Sequence, residues 1–323
     1  MRAPTHVVVR IDEVVVAATQ PNGRPWDGDV VAPREGEGCS IFGKAIGLAL
    51  ATEVGAFASL VSEGASLLCR GASRPSQRQN DPTNPDLQVR IGTADGTPYV
   101  TEVAPDVTQT LFGRRFVLPI DAIPPDGLII EVVDDDLAAG RQQIGAVRVS
   151  RNDVLRALNE PTQLLVRDQK PSLLKLELVI SEYGAHPNTN VDMSAREGTH
   201  PDVADVMGGE VVSITASGKY RVGTWYDADV SPVGYPGGGP RDYNFKYEPL
   251  RSAAHACGFA LVGERDRTAA LVDPSASFVA PTPGPLLVGI NDSDPTNNSG
   301  SIQFTITQRA PTASEWRLHR PSR

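Results

Sequence analysis

Short segments in the first half of the chain alternate apolar and polar residues or carry runs of β-branched residues, as strands with a buried face do. The valine-rich segment 6–18 is the clearest example. Further strands are predicted at 86–91, 115–120, 127–133, 144–149 and 173–180, and one helix of about two turns at 151–158. Turns rich in Pro, Gly and Asp separate these segments, so we predict a β-sandwich domain over residues 1–183.

The second half shows the same pattern after a polar segment. Residues 184–205 lack periodicity, and they either link two domains or wrap around one of them. Strands are then predicted at 210–216, 220–225, 258–263, 285–290 and 302–307, which gives a second sandwich over 206–309. A tail at 310–323 is expected to be frayed. The fold class is therefore all-β, with two β-sandwich domains.

Residues 40–68 interrupt this β pattern, because they are helical in character and apolar nearly all round. Small residues recur at every fourth position, a spacing that lets another backbone approach closely. This ridge consists of Gly43, Gly47, Ala51, Gly55 and Ser59. Charged residues keep every apolar run below the ~20 residues that span a bilayer. We predict a helical insertion buried against the sandwich or forming an oligomer or partner interface, in preference to a stable transmembrane span.

Composition and charge narrow the range of functions. The chain has 323 residues, a net charge of −9 and a pI of about 5.1, which argues against nucleic acid as the main partner. The N-terminal residues lack the features of a secretory signal, so the protein is expected in the cytoplasm or exported by a non-classical route. Cys39 and Cys69 flank the insertion, and a disulfide between them would require a helical hairpin.

No arrangement of residues in the sequence is typical of an enzyme. The five histidines are scattered, and none lies in a His-x-x-x-His pair or beside a Gly-x-Ser-x-Gly segment. Cys257 lies in an apolar strand, which favours a buried structural thiol. We therefore predict a binding protein without catalytic residues.

The most specific stretch is Asn291-Asp-Ser-Asp-Pro-Thr-Asn-Asn-Ser-Gly-Ser301, between two predicted strands. Carboxylate, hydroxyl and amide oxygens are the ligands that Ca²⁺ prefers. The candidates within seven residues are Asp292, Asp294, Thr296, Asn297 and Asn298. The alternative is an ordinary polar turn, since the same residue types build turns.

A second group of acids follows the apolar strand 128–133. In an extended chain Asp134 and Asp136 share one face while Asp135 points away. Asp27 and Asp86 each lie beside another predicted strand. If their loops meet at one end of the sandwich, the four carboxylates repel one another unless a cation neutralises them. The alternative is a solvated acidic turn.

Residues 6–182 resemble a C2 domain, the calcium-dependent membrane-binding β-sandwich. The resemblance rests on Pro85-Asp-Leu-Gln-Val-Arg-Ile91, on Val132-Val-Asp-Asp-Asp136 and on Ile144-Gly145. It implies Ca²⁺ ligands at Asp27, Asp86, Asp134 and Asp136, and an anionic lipid surface as partner. Two features depart from the family: the insertion separates Asp27 from Asp86, and residues 139–143 lack an acid at a position that often supplies the last ligand.

Residues 190–309 resemble the calcium-dependent galactose-binding lectins of the LecA type. The matching stretches are 208–218, 256–263, 289–292 and 297–301. The resemblance implies Ca²⁺ bound by Asp292, Thr296, Asn297 and Asn298, with Asp292, Thr296 and Asn297 also at the carbohydrate site. The loop is about two residues shorter than in the lectins, and their sugar-contacting His and Gln have no counterpart here.

Together these features predict calcium-dependent binding, to lipid headgroups at the first domain and to a galactoside glycan at the second. An alternative from a different class is an assembly component, in which both sandwiches are scaffold and the insertion forms a homo-oligomer or partner interface. A third interpretation is an effector whose insertion enters membranes after calcium docking.

Overall fold

The computed structural model describes residues 4–26, 84–93, 98–136, 140–159, 164–166, 172–223, 229–235, 246, 257–263 and 268–318. The segment 40–68, for which a helical insertion with a ridge of small residues is predicted, lies outside the described residues, as do Cys39 and Cys69. The described residues are mostly β-strand in four antiparallel sheets, which confirms the all-β fold class. No helix among them is long and apolar enough to cross a membrane.

The first sandwich packs sheet β4-β1-β8-β7 against sheet β3-β2-β5-β6. Its strands are β1 (His6–Val16), β2 (Leu87–Gly92), β3 (Tyr99–Val100), β4 (Gln109–Pro119), β5 (Leu128–Asp136), β6 (Gly140–Val149), β7 (Leu164–Val166) and β8 (Leu173–Glu182). A 3-10 turn, Ile120–Ala122, follows β4, and helix α1 (Arg151–Asn159) follows β6. The core forms where the apolar faces of the two sheets meet.

The second sandwich packs sheet β10-β15-β12-β13 against sheet β14-β11-β16-β9. Its strands are β9 (Thr189–Ser194), β10 (Thr199–Val206), β11 (Val211–Arg221), β12 (Gly258–Val262), β13 (Thr268–Val272), β14 (Ser275–Val279), β15 (Gly284–Ile290) and β16 (Ser299–Arg309). A 3-10 turn, Pro295–Asn297, joins β15 to β16, and helix α2 (Ala313–Leu318) ends the described chain. A second, separate core lies between these sheets.

Three segments refine or depart from the sequence prediction. The strands expected at 210–216 and 220–225 form one strand, β11, in register with β16 from Val211 to Arg221. Within the segment 184–205, strands β9 and β10 pair with β16 and β15, so these residues belong to the sheets of the second sandwich. Residues 310–318 are not frayed, because α2 places Trp316 in the first core.

The two sandwiches contact each other directly. Gly208, before β11, forms a parallel bridge with Phe116 of β4: the Val117 amide donates to the Gly208 carbonyl (2.8 Å), and the Gly208 amide to the Arg115 carbonyl (2.9 Å). A Cβ on Gly208 would lie 2.4 Å from the Phe116 ring, so only glycine permits this approach. A small apolar cluster that includes Val8 and Met207 covers the junction.

Candidate functional site

The oxygen-rich stretch predicted from the sequence forms the connection between β15 and β16. Two backbone hydrogen bonds fix the chain as it leaves β15: the Asn291 amide donates to the Cys257 carbonyl (3.1 Å), and the Asp292 amide to the Ile290 carbonyl (2.7 Å). We call residues 291–298 the oxygen loop. Its beginning and end are buried, while residues 293, 294, 296 and 297 are exposed.

Asp292 and Asn298, near the two ends of the oxygen loop, form a buried pair with exposed fractions of 5% and 0%. The Asn298 Nδ2 donates to Asp292 Oδ2 (2.9 Å) and to the Ala195 carbonyl (3.3 Å), while its Oδ1 accepts from the Gly223 amide (3.1 Å). The carboxamide orientation follows from these partners, because only oxygen can accept from an amide N–H. The pair therefore closes the loop with a charge-assisted hydrogen bond shielded from water.

Asp294, Thr296 and Asn297 form an exposed triad above this pair. The Asp294 carboxylate accepts from the Thr296 hydroxyl (2.6 Å) through Oδ1 and from the Asn297 Nδ2 (3.2 Å) through Oδ2. The Asp294 amide donates to Asp292 Oδ1 (3.0 Å), which links the triad to the buried pair. The resemblance to the lectins implied Thr296 and Asn297 as ligands but not Asp294, the residue that holds both of them.

The turn between β9 and β10, residues 194–199, supports the oxygen loop from one side. The Ile290 amide donates to the Gly198 carbonyl (2.8 Å), and the Arg196 Nε donates to the Asn298 carbonyl (3.0 Å). Gly198 has a φ of +71°, and a Cβ there would lie 2.6 Å from the Pro295 ring. Sequence reasoning did not assign this turn to the site, although a Gly between two polar strands is a turn signal.

The oxygen loop matches Ca²⁺ in the kind of its donors, which are carboxylate, hydroxyl and amide oxygens. Each carboxylate oxygen of Asp292 and Asp294 accepts one hydrogen bond within the loop and keeps capacity for another contact. Asn298 is arranged differently, since its NH₂ group faces Asp292 and its oxygen faces Gly223. In this arrangement Asn298 positions Asp292, and its carboxamide would have to rotate before it could ligate a cation.

The first predicted cluster lies at one end of the first sandwich. Asp134, fully buried near the end of β5, accepts a hydrogen bond at Oδ1 from the Asp86 amide (2.8 Å), and Asp86 Oδ1 accepts one from the Asp106 amide (2.9 Å). The fold thus brings together two predicted ligands that are 48 residues apart. Asp106, which was not predicted, has a φ of +54° and directs its amide at this group.

Two predicted ligands of this cluster remain, Asp27 and Asp136, and the structure describes only the backbone of Asp136. Asp135 points away from Asp134 and pairs with Arg141 (2.5 Å), as strand alternation requires. Asp136 is the last residue of β5 and lies opposite Gly140 of β6. Asp27 lies outside the described residues, but its neighbour Trp26 is anchored at this end of the sandwich. The Gln20 Nε2 donates to the Trp26 carbonyl (3.3 Å) and to the Oε1 of Gln142 (3.5 Å), the residue opposite Asp134.

Neither cluster forms a dense acidic cage in the part of the chain that the structure describes, where no three His, Cys, Asp or Glu side chains come together as a metal-binding group. Any cation bound there would depend on hydroxyl, amide or backbone oxygens in addition to carboxylates.

Comparison with known proteins assigns no family. No protein-family model matches the chain, and no curated protein matches its sequence. Solved structures that match include the EclA N-terminal domain, described as a PllA-like lectin, at 17% identity over 38% of this chain and 96% of that one, with a TM-score of 0.29. A single C2 domain of plant extended synaptotagmin 1 matches at 11% identity over 57% of this chain and 99% of that one, with a TM-score of 0.28.

A third match covers both sandwiches. The calcium-bound pair of C2 domains from extended synaptotagmin 2 matches at 8% identity over 97% of this chain and all of that one, with a TM-score of 0.31. At these identities and TM-scores the matches assign no function to this chain.

Proposed function

We propose that the protein is a calcium-dependent binding protein without catalytic activity, which recognises a glycan at the oxygen loop and an anionic lipid surface at the acidic end of the first sandwich. The observation that carries the proposal is the buried hydrogen bond between Asp292 and Asn298. It fixes a loop whose outer face presents carboxylate, hydroxyl and amide groups side by side.

The exposed triad has the chemistry that a sugar needs. A sugar hydroxyl can donate to the Asp294 carboxylate and accept from the Asn297 NH₂ group, in place of the hydrogen bonds that these groups share in the free protein. The buried pair holds the loop, so little conformational entropy is lost when the ligand binds. When bound, Ca²⁺ would supply open coordination positions for two neighbouring sugar hydroxyls.

At the first sandwich the proposed ligand is the anionic headgroup of a lipid. The chain is acidic overall, and Asp86 and Asp134 lie together at one end of this sandwich. Such a surface repels anionic phosphate unless a cation reverses the local sign. Asp86 and Asp134, with Asp27 and Asp136 from the sequence, would hold that cation, so lipid attachment would require Ca²⁺.

Calcium titration calorimetry on the full chain tests the proposal. Asp294→Asn should weaken one binding event and Asp134→Asn another. Two exposed acids serve as matched controls, because each lies in the same sandwich but away from the loops. These are Asp192, bonded to Gln303, and Asp126, bonded to Arg148. Absence of calcium heat in the wild-type chain, or equal losses in the control variants, would refute calcium binding at these sites.

The two ligand classes are tested separately. Flotation with phosphatidylserine vesicles should succeed with calcium and fail with chelator or with Asp134→Asn. Galactoside binding should be lost in Asp294→Asn and kept in Asp134→Asn. If vesicles and sugars bind equally well without calcium, the proposed mechanism is incorrect even where binding itself is real.

A further inference from the structure

Arg196 differs from most arginines that the structure describes. Nine of them have a carboxylate partner within 4 Å: Arg10, Arg90, Arg114, Arg115, Arg141, Arg148, Arg156, Arg221 and Arg309. Among the described residues no carboxylate pairs with Arg196, although it is exposed on a turn that also carries Glu197. The Glu197 carboxylate is paired with the His200 ring instead, with an Oε1–Nδ1 distance of 2.5 Å.

The position of the Arg196 guanidinium is fixed by the oxygen loop itself. Its Nε donates to the backbone carbonyl of Asn298 (3.0 Å), the residue next to Asn297 of the exposed triad. A guanidinium held at Nε still carries two terminal NH₂ groups, which form the fork that binds a carboxylate through two parallel hydrogen bonds. The turn therefore holds an anion-binding group at the backbone of Asn298, the residue that follows the triad in the oxygen loop.

We propose that the ligand of the oxygen loop is an acidic saccharide, and that Arg196 recognises its carboxylate while the triad binds neighbouring hydroxyls. This inference rests on the proposed glycan site and adds the class of sugar. A neutral galactoside leaves the Arg196 charge without a partner, whereas a uronic acid satisfies it. Because Asp292 and Asp294 outweigh one guanidinium, a divalent cation is needed to make the local charge positive and to admit the anion.

The test compares D-galacturonate with D-galactose, which differ at one carbon, by calorimetry on the full chain at saturating calcium. The wild type should bind galacturonate about ten-fold more tightly, the scale of one charge-assisted contact in a partly exposed site. Arg196→Gln should abolish this preference, so that the ratio of the two affinities falls to about one. Arg196→Lys should keep part of it, since lysine retains the charge but not the fork.

Arg221→Gln is the matched control, because Arg221 lies beside the loop opposite Ser299 but pairs with Asp229. It removes the same charge and should preserve the preference for galacturonate. Equal wild-type affinity for the two sugars, or an equal loss of both in Arg196→Gln, would overturn the inference and leave the glycan site intact. Failure of both sugars to bind the wild type would overturn the glycan site and this inference with it.

Discussion

Trp316 of α2 stacks on Tyr99 of the first sandwich, with ring centroids 5.5 Å apart and an interplanar angle of 26°. The Tyr99 hydroxyl donates to the Trp316 carbonyl (3.0 Å), and the indole is only 5% exposed. Helix α2 begins at a capping box in which Thr312 and Glu315 each accept from the other's backbone amide (3.3 and 2.8 Å). The last helix thus follows the second sandwich in sequence but completes the core of the first.

Trp316→Ala should destabilise the protein by about 3–5 kcal/mol, because it removes a large buried ring and leaves a cavity beside Tyr99. Urea unfolding followed by circular dichroism measures the loss. Leu111→Ala is the control, since Leu111 is 77% exposed and its truncation should change the free energy of unfolding by less than about 0.5 kcal/mol. A small effect of Trp316→Ala would show that α2 is not part of the core in solution.

Glu210 is fully buried at the junction of the sandwiches, where its carboxylate accepts from the Met207 amide (2.8 Å), the Tyr183 hydroxyl (3.0 Å) and the Gln308 Nε2 (3.1 Å). The His186 Nε2 lies 3.3 Å away. Glu210→Ala should cost about 3 kcal/mol, because three donors, two of them buried, lose their acceptor. Glu210→Gln keeps an acceptor oxygen and should cost less, as thermal unfolding of the two variants would show. Equal losses would contradict the assigned hydrogen bonds.

Stability should fall at alkaline pH in part through Tyr183. Burial raises the pKa of the Tyr183 hydroxyl, and the Glu210 charge raises it further. A folded-state pKa above the unfolded value stabilises the protein below about pH 10, and this contribution is lost as the pH rises, since the unfolded state releases its proton first. Allowing for solvent screening, the slope from this residue is up to about 1 kcal/mol per pH unit.

Tyr183→Phe tests this contribution. The variant should be less stable at pH 7 by about 1 kcal/mol, because it loses the hydrogen bond to Glu210. Above pH 10 its stability should decline less steeply than that of the wild type, so the difference between them narrows. Urea unfolding between pH 7 and 11 measures both effects, and parallel curves would exclude Tyr183 as the titrating group.

Gly198→Ala should separate the 194–199 turn from the oxygen loop. The new Cβ would lie 2.6 Å from Pro295 at a φ that L-residues rarely adopt, so either the turn or the loop must move. We expect a loss of stability of more than about 1 kcal/mol and weaker calcium binding. Gly184→Ala is the control, because no atom lies within 4 Å of its added Cβ and its φ is ordinary. Unchanged calcium affinity in Gly198→Ala would show that the turn does not support the loop.

The sequence by itself determined the all-β class and most of the strands. In β8 the buried residues Leu176, Leu178 and Ile180 alternate with more exposed ones, and this pattern is local to the strand. The capping box Thr312-x-x-Glu315 is also a local signal, and it would have identified the start of α2. The composition of the oxygen loop was equally visible, because its polar groups lie within a few residues of one another.

The tertiary structure decided which distant residues meet. Strand β10 is polar and mostly unburied, so its pairing with β15 left no periodic signal in the sequence. Asp134 meets Asp86 through the pairing of β5 with β2, and Arg196 meets Asn298 although 102 residues separate them. Such contacts depend on strand order and register, which arise only when the apolar faces of the sheets pack together. For that reason the sequence named the oxygen donors of the loop, but only the packed sheets placed Arg196 and the 194–199 turn beside them.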